Sequence, residues 1–379
     1  MTHTPILLFD LDGVLIHPLG YRAALRASVN HFRTQWGWQP DPLPEEEIAL
    51  FEAHGITSEW DMLPLILASQ LEQTALEGAR LPQGFPTGAD GNLPAPKQRA
   101  ALRERLGALQ TNLQPGEHPA QAALRLNLYP HLPRPLQNAL FNNTRRVEDS
   151  HTTRVFQHFA LGDGGYTQTY GRAAEFQSPP LLREKDQPLL SAAWRTHLQA
   201  QRAAQRLYYA ALTARPSLPP RGTIAPFGFP PEAEFALACI GIPEMPLIGY
   251  GRLQHLAQVV GGEAEQFLKP SPVQALAAIL AALGEPEERA LLDALAVARE
   301  KRLNHRLAAL EACKIAIFED SPGGIRAGLQ ATAHLRDLGV AAHFKGYGIT
   351  ANPDKQRVLE NLGARVFLSI NEALRDALD

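Results

Sequence analysis

Four short segments of this chain end in residues that can hold a cation or move a proton. The first is Phe9-Asp10-Leu11-Asp12-Gly13. Asp10 and Asp12 stand two positions apart, so both carboxylates can serve one site. Gly13 lets the chain turn tightly and bring backbone N–H groups close to an anion. Two carboxylates can hold a hard cation such as Mg²⁺ through oxygen. One can then act as nucleophile and the other as general acid and base. The second segment, Ala211-Leu212-Thr213, ends in a hydroxyl that can bond a phosphoryl oxygen. The third, Leu268-Lys269-Pro270-Ser271, offers one ammonium to offset clustered carboxylates and a phosphate. The fourth is Ile317-Phe318-Glu319-Asp320-Ser321. Asp320 is placed there to complete a metal shell, and Glu319 to join it directly or through water. Each segment alone also reads as something plainer: a solvated turn, a strand threonine, a surface lysine, a helix N-cap.

The elements that must carry these segments decide between the readings. Apolar runs of the kind that buried parallel strands use fall at residues 6–9, 207–212, 247–250, 314–318, 340–344 and 365–368. Helical patterns lie between most of them, at 273–283 behind Ser271 and Pro272, at 286–310 and at 322–338. This alternation predicts an α/β fold with a doubly wound parallel sheet. Asp10, Thr213 and the Glu319-Asp320 pair then follow strand ends, on the carboxyl edge where such sheets bind ligands. Lys269 directly precedes a helix start.

Nearly two hundred residues separate the first two strand runs. Within them the pattern is helical at 21–32, 45–53, 60–78, 97–109 and 187–205, with Pro- and Gly-rich loops at 81–96 and 128–135. A segment this long is better read as an inserted, mostly helical domain than as a loop. The expected division is a core of residues 1–16 and 206–379 with a helical cap of residues 17–205. Residues 214–246 form a second irregular stretch rich in proline.

Composition removes several function classes. With 45% apolar and 20% charged residues the chain reads as soluble and globular. A net charge of −3 gives no basic field for nucleic acid or anionic lipid. No apolar run is long enough to span a bilayer, and residues 6–12 are too short and too acidic for a signal segment. Cys239 and Cys313 form no CxxC pair, which argues against a disulfide framework or structural zinc and for a cytoplasmic home.

Asp-x-Asp-Gly, then Thr, then Lys-Pro, then Glu-Asp-Ser-x-x-Gly-Ile, in this order, resembles the haloacid dehalogenase-like (HAD) hydrolase superfamily. The last segment looks most like its phosphoglycolate phosphatase and β-phosphoglucomutase subfamily. The resemblance covers residues 5–16 and 206–379. It implies a Rossmann-like core with a cap inserted after the first motif, here an enlarged one. It implies Asp10 as nucleophile, and Asp12 as general acid/base that also gives a backbone carbonyl to Mg²⁺. It further implies Thr213 as phosphoryl binder, Lys269 as the residue steadying nucleophile and phosphate, and Asp320 with Glu319 as metal ligands.

The activity implied is Mg²⁺-dependent hydrolysis of a small phosphorylated metabolite through an aspartyl-phosphate. A phosphomutase would share every core motif. A non-enzymatic regulatory or scaffold member of the fold would be expected to lack a catalytic acid, and none is missing. Candidate substrate contacts in the cap are Arg22 and the cluster Arg145, Arg146, His151, Arg154 and His158, which also reads as a solvated basic face. Substrate identity and oligomeric state are left open.

Overall fold

The computed structural model describes residues 4–86, 92–98, 102–114, 116–224, 226–310 and 312–378. The expected loop at 81–96 and helix start at 97 fall partly on 87–91 and 99–101, outside the described residues. The chain divides into two compact units, one of Met1–Leu19 with Lys185–Asp379 and one of Gly20–Glu184.

The first unit is built on a six-stranded sheet in the order β5-β4-β1-β6-β7-β8. Its strands are β1 (Thr4–Phe9), β4 (Tyr208–Leu212), β5 (Leu247–Ile248), β6 (Ala312–Glu319), β7 (Ala341–Ile349) and β8 (Arg365–Phe367). Each of the six apolar runs forms one of these strands, and every pairing is parallel. Side chains alternate across the sheet with period two. On central β1, Ile6 and Leu8 enter one apolar cluster and Leu7 and Phe9 the other. Helices Pro272–Ala282 and Pro322–Asp337 supply the first cluster, and Glu232–Cys239 and Ile370–Leu378 the second. Both faces are therefore covered, giving the doubly wound α/β fold. The chain runs outward from β1 through β4 to β5, then returns to β6 on the other side of β1. That reversal leaves a crevice at the carboxyl ends of β1, β4 and β6.

Two sequence expectations change in this unit. Residues 286–310 form a helix only over Glu287–Leu295. A π-helical turn, Ala296–Glu300, and left-handed Lys301 (φ 57°) end it. Asn304 then starts a new short helix by accepting a hydrogen bond from Leu307 N. Residues 187–205 are helical only over Ala192–Ala203. Gln187–Pro188 is instead a strand, β3, paired antiparallel with β2 (Ile16–His17). Residues 185–205 thus lie in the sheet-bearing unit rather than in the insertion, because β3 and Leu198 pack there.

The second unit, Gly20–Glu184, holds helices and no strand among its described residues. Glu45–Ala53 and Glu59–Leu76 match the expected helices closely. Pro119–Arg125, Arg134–Phe141 and His151–Tyr170 had no clear sequence signal. The last is broken at Gly162 (φ 73°, ψ 161°), where a Cβ would stand 2.9 Å from Pro180 N. No described helix of either unit is long and apolar enough to cross a membrane.

Candidate active site

β1 delivers Asp10 to the sheet edge immediately after Phe9, and Asp10 N donates to Phe318 O at 3.0 Å. Beneath it Phe9 stacks on Phe318 and Phe318 on Tyr347, each pair 4.9 Å between centroids. These rings tie β1, β6 and β7 together under the site. Gly13 turns the chain with φ 74°, and a Cβ there would stand 3.1 Å from Asp320 Oδ2. The glycine is needed both for its left-handed backbone and for that close approach.

Asp10, Glu319 and Asp320 each present a carboxylate oxygen within 4.8 Å of the others. Glu319, the last residue of β6, is fully buried. Its Oε2 accepts from Ser321 N at 2.9 Å and Ser321 Oγ at 2.8 Å, and its Oε1 from Lys269. Gly324 permits this, since a Cβ there would stand 2.0 Å from Glu319 Oε1. Asp320 is partly exposed and pairs with Lys355 Nζ at 2.9 Å.

Lys269 Nζ lies 2.9 Å from Asp10 Oδ1, as the lysine's expected role requires. Burial pushes the Asp10 carboxyl well above the usual carboxylate range; Lys269 opposes this, while Glu319, Asp320 and Asp12 add to it. For Lys269, burial alone would lower its pKa, but Asp10 and Glu319 outweigh that and hold it above the ordinary lysine value. The three crowded carboxylates form an oxygen-only donor set suited to a hard divalent cation. Such a cation would stabilise the charged form of all three.

Thr213 follows β4 and is buried. Its Oγ1 accepts from Arg215 N at 3.1 Å, which leaves the hydroxyl hydrogen for another acceptor. Gln274, buried in helix Pro272–Ala282, links the motifs. Its Nε2 donates to Thr213 O at 3.0 Å and to Ile248 O at 2.8 Å, and its Oε1 accepts from Lys269 N at 3.0 Å.

The Asp12 carboxylate is not in the acidic group. Its expected metal contact was through the backbone carbonyl, and its side chain turns instead to Arg215. Arg215 Nε donates to both carboxylate oxygens, at 2.8 and 2.9 Å, and Nη2 to Oδ1 at 2.5 Å. Arg215 Nη1 donates to buried Asp186 at 2.9 Å. Sequence reading missed Gln274, Arg215 and Asp186. Arg215 stands two residues after Thr213, but its partner Asp12 lies 203 residues away.

The arginines singled out in the insertion have acidic partners of their own, whereas His151 Nδ1 lies 3.3 Å from Arg154 Nη2 and His158 Nε2 accepts from Glu175 N at 3.4 Å. Arg22 pairs with Glu45 and, at 3.0 Å, Glu52. Arg145 pairs with Asp61 at 2.5 Å, Arg146 with Asp149 at 3.1 Å and Arg154 with Glu175 at 3.1 Å.

The whole chain has a structural counterpart. It is similar to Northeast Structural Genomics Consortium target ZR25, with TM-score 0.63 and 15% identity over 100% of this chain and 99% of that one. At that identity the likeness is one of fold. Phosphatase Tt82 from Thermococcus thioreducens is more distant, with TM-score 0.45 and 16% identity over 95% of this chain and 100% of that one. A hydrolase from Pseudomonas syringae gives TM-score 0.31 and 14% identity over 99% and 100%. Scores that low do not bear on activity. No protein-family model and no curated protein matches the sequence.

Proposed function

We propose that the chain is a divalent-cation-dependent phosphoric monoester hydrolase of the HAD-like type, acting on a small phosphorylated metabolite. The observation that carries this reading is the buried Asp10 carboxylate at the end of β1, 2.9 Å from Lys269 and grouped with Glu319 and Asp320.

Asp10 attacks phosphorus, forming a new O–P bond as the bond to the leaving oxygen breaks. Asp12 gives that oxygen its proton, then takes a proton from the water that cleaves the acyl-phosphate and restores Asp10. Thr213 donates its hydroxyl hydrogen to a phosphoryl oxygen. Lys269 favours the ionised form of Asp10 and adds positive charge where negative charge gathers. Asp10, Glu319, Asp320 and the Asp12 carbonyl would hold Mg²⁺, which when bound supplies charge neutralisation for the carboxylates and the phosphoryl group.

A panel of phosphorylated metabolites, assayed for phosphate release with Mg²⁺ and beside Asp10→Asn as a blank, tests the reading. Release that EDTA abolishes, Mg²⁺ restores and Asp10→Asn lacks is expected. Equal release by Asp10→Asn, or full activity without metal, would overturn it.

A further inference from the structure

We infer that Arg215, itself fixed by Asp186, is a positioning residue that sets the orientation of the Asp12 carboxylate; the inference rests on the acid/base role proposed for Asp12. An acid/base group must aim one oxygen at the leaving oxygen, and an aspartate on a loop turns freely unless something holds it. Here both Asp12 oxygens are engaged by one guanidinium, through Nε and Nη2. That fork fixes the plane of the carboxylate as well as its position.

The burial pattern supports positioning rather than substrate contact. The Arg215 side chain is 1% exposed and that of Asp186 2%, whereas the Asp12 side chain is 34% exposed. The Arg215 side chain is therefore shut off from a substrate, while part of the Asp12 side chain stays accessible. The backbone of Arg215 is equally fixed: its N donates to Thr213 Oγ1 at 3.1 Å, and its O accepts from Tyr250 N at 3.0 Å.

The clamp also spans the root of the insertion. Asp12 lies just before β2 and Asp186 just before β3, and these strands pair Ile16 with Pro188 and His17 with Gln187. One guanidinium thus joins the acid/base residue to the strand by which the chain returns to the sheet-bearing unit. A salt bridge serving only to steady β2 and β3 would not need both oxygens of a partly exposed carboxylate. Asp186 alone, held through Nη1, would do that.

The test compares Arg215→Lys, Asp186→Asn, Asp12→Asn and the double variant Arg215→Lys/Asp12→Asn. Each is assayed on p-nitrophenyl phosphate, whose leaving group needs little protonation, and on glycerol 2-phosphate, whose leaving group needs it. Lysine keeps the charge but cannot form the fork. Arg215→Lys should lower kcat for the alkyl phosphate by about 10- to 100-fold with KM nearly unchanged, and for the aryl phosphate by about threefold at most. Asp186→Asn should show the same leaving-group bias to a lesser degree, and it covers the case in which Arg215→Lys does not fold. The double variant should be no slower than Asp12→Asn, because Arg215 acts through that carboxylate.

Equal losses on both substrates, a loss expressed in KM, or additive losses in the double variant would overturn the inference while leaving the phosphatase reading intact. A wild-type protein that forms no acid-stable label at Asp10 from a labelled phosphate ester would overturn that reading, and this inference with it.

Discussion

Around Asp10 three carboxylates share one buried ammonium, whereas around Arg145 in the insertion a buried acid has its own guanidinium. Both are clusters of charge in largely buried surroundings. The first sets three carboxylates against the ammonium groups of Lys269 and the more exposed Lys355, so it is short of counter-charge. The second is closed: Asp61 accepts from Arg145 and from Ala120 N, and Arg145 also donates to Ser58 and stacks over Trp60. A folded chain keeps uncompensated charge only where something else repays it, and a bound cation with a phosphate would do so. Charges that are already matched hold the fold and leave nothing for a ligand. Under the proposed function, the contrast gives the reaction to the sheet edge and architecture to the arginines of the insertion.

The sharpest test of that contrast is Asp10→Asn. Activity should fall by a factor on the order of 10⁴ or more. Stability of the metal-free protein should move the other way. A carboxyl whose folded pKa is raised opposes folding at pH values above its unfolded one, and the opposition fades as pH falls. Removing it should therefore raise the metal-free unfolding midpoint at pH 7. A lower midpoint would show that Asp10 belongs with the matched charges.

Gly324→Ala tests the same site without removing a charge. The new methyl would collide with Glu319 Oε1, which Lys269 and Ser321 hold from the other sides. Alanine gains roughly 1 kcal/mol of helix propensity, but the displaced carboxylate costs more. Metal affinity read by titration calorimetry should drop about 10- to 100-fold. An unchanged affinity would remove Glu319 from the ligand set.

The matched cluster should respond in the opposite sense. Arg145→Met strands Asp61 beside an apolar side chain, so thermal unfolding should show a loss of about 2 kcal/mol. kcat/KM for the preferred substrate should stay within about twofold, since uniform substrate binding is not removed. A raised KM would give Arg145 a substrate contact after all.

The smallest expected effect concerns His151, whose pKa is pushed down to about 4, first by burial and then by Arg154. Its ring packs edge-on to Phe32 and Phe85. The fold favours the neutral ring, so its contribution is fully present above about pH 6.5 and is lost as pH falls toward 4. Melting temperatures from pH 7.5 to 5 should fall in wild type and fall less steeply in His151→Gln. Parallel curves would place the acid sensitivity elsewhere.

The sheet was legible because parallel strands covered on both faces become unbroken apolar runs, as at Ile6 to Phe9. The residues at their ends were legible for the same reason, since a strand end fixes where Asp10, Thr213 and Glu319 must lie. Helix His151–Tyr170 was not legible, because Gly162, Gly164 and Gly165 interrupt its pattern and Gly162 breaks its backbone. The Asp12–Arg215–Asp186 clamp was invisible for a different reason. Ion pairs carry no periodicity, and nothing in a sequence tells one arginine which distant carboxylate it will meet.

The pairing of β2 with β3 brings together the two ends of the chain at the root of the insertion. The chain leaves the sheet-bearing unit after Leu19 and re-enters it at Lys185, and just inside those bounds His17 and Gln187 face each other across one antiparallel rung. A tight hairpin turn joining them would close the chain in place of the whole intervening stretch. It would leave every registered pair of the six-stranded sheet where it is. Because the entropy of closing a loop grows only slowly with its length, the same rung tolerates a long insert as readily as a short one. Evolution can lengthen, trim or exchange what hangs from such a root without renegotiating the chemistry at the sheet edge.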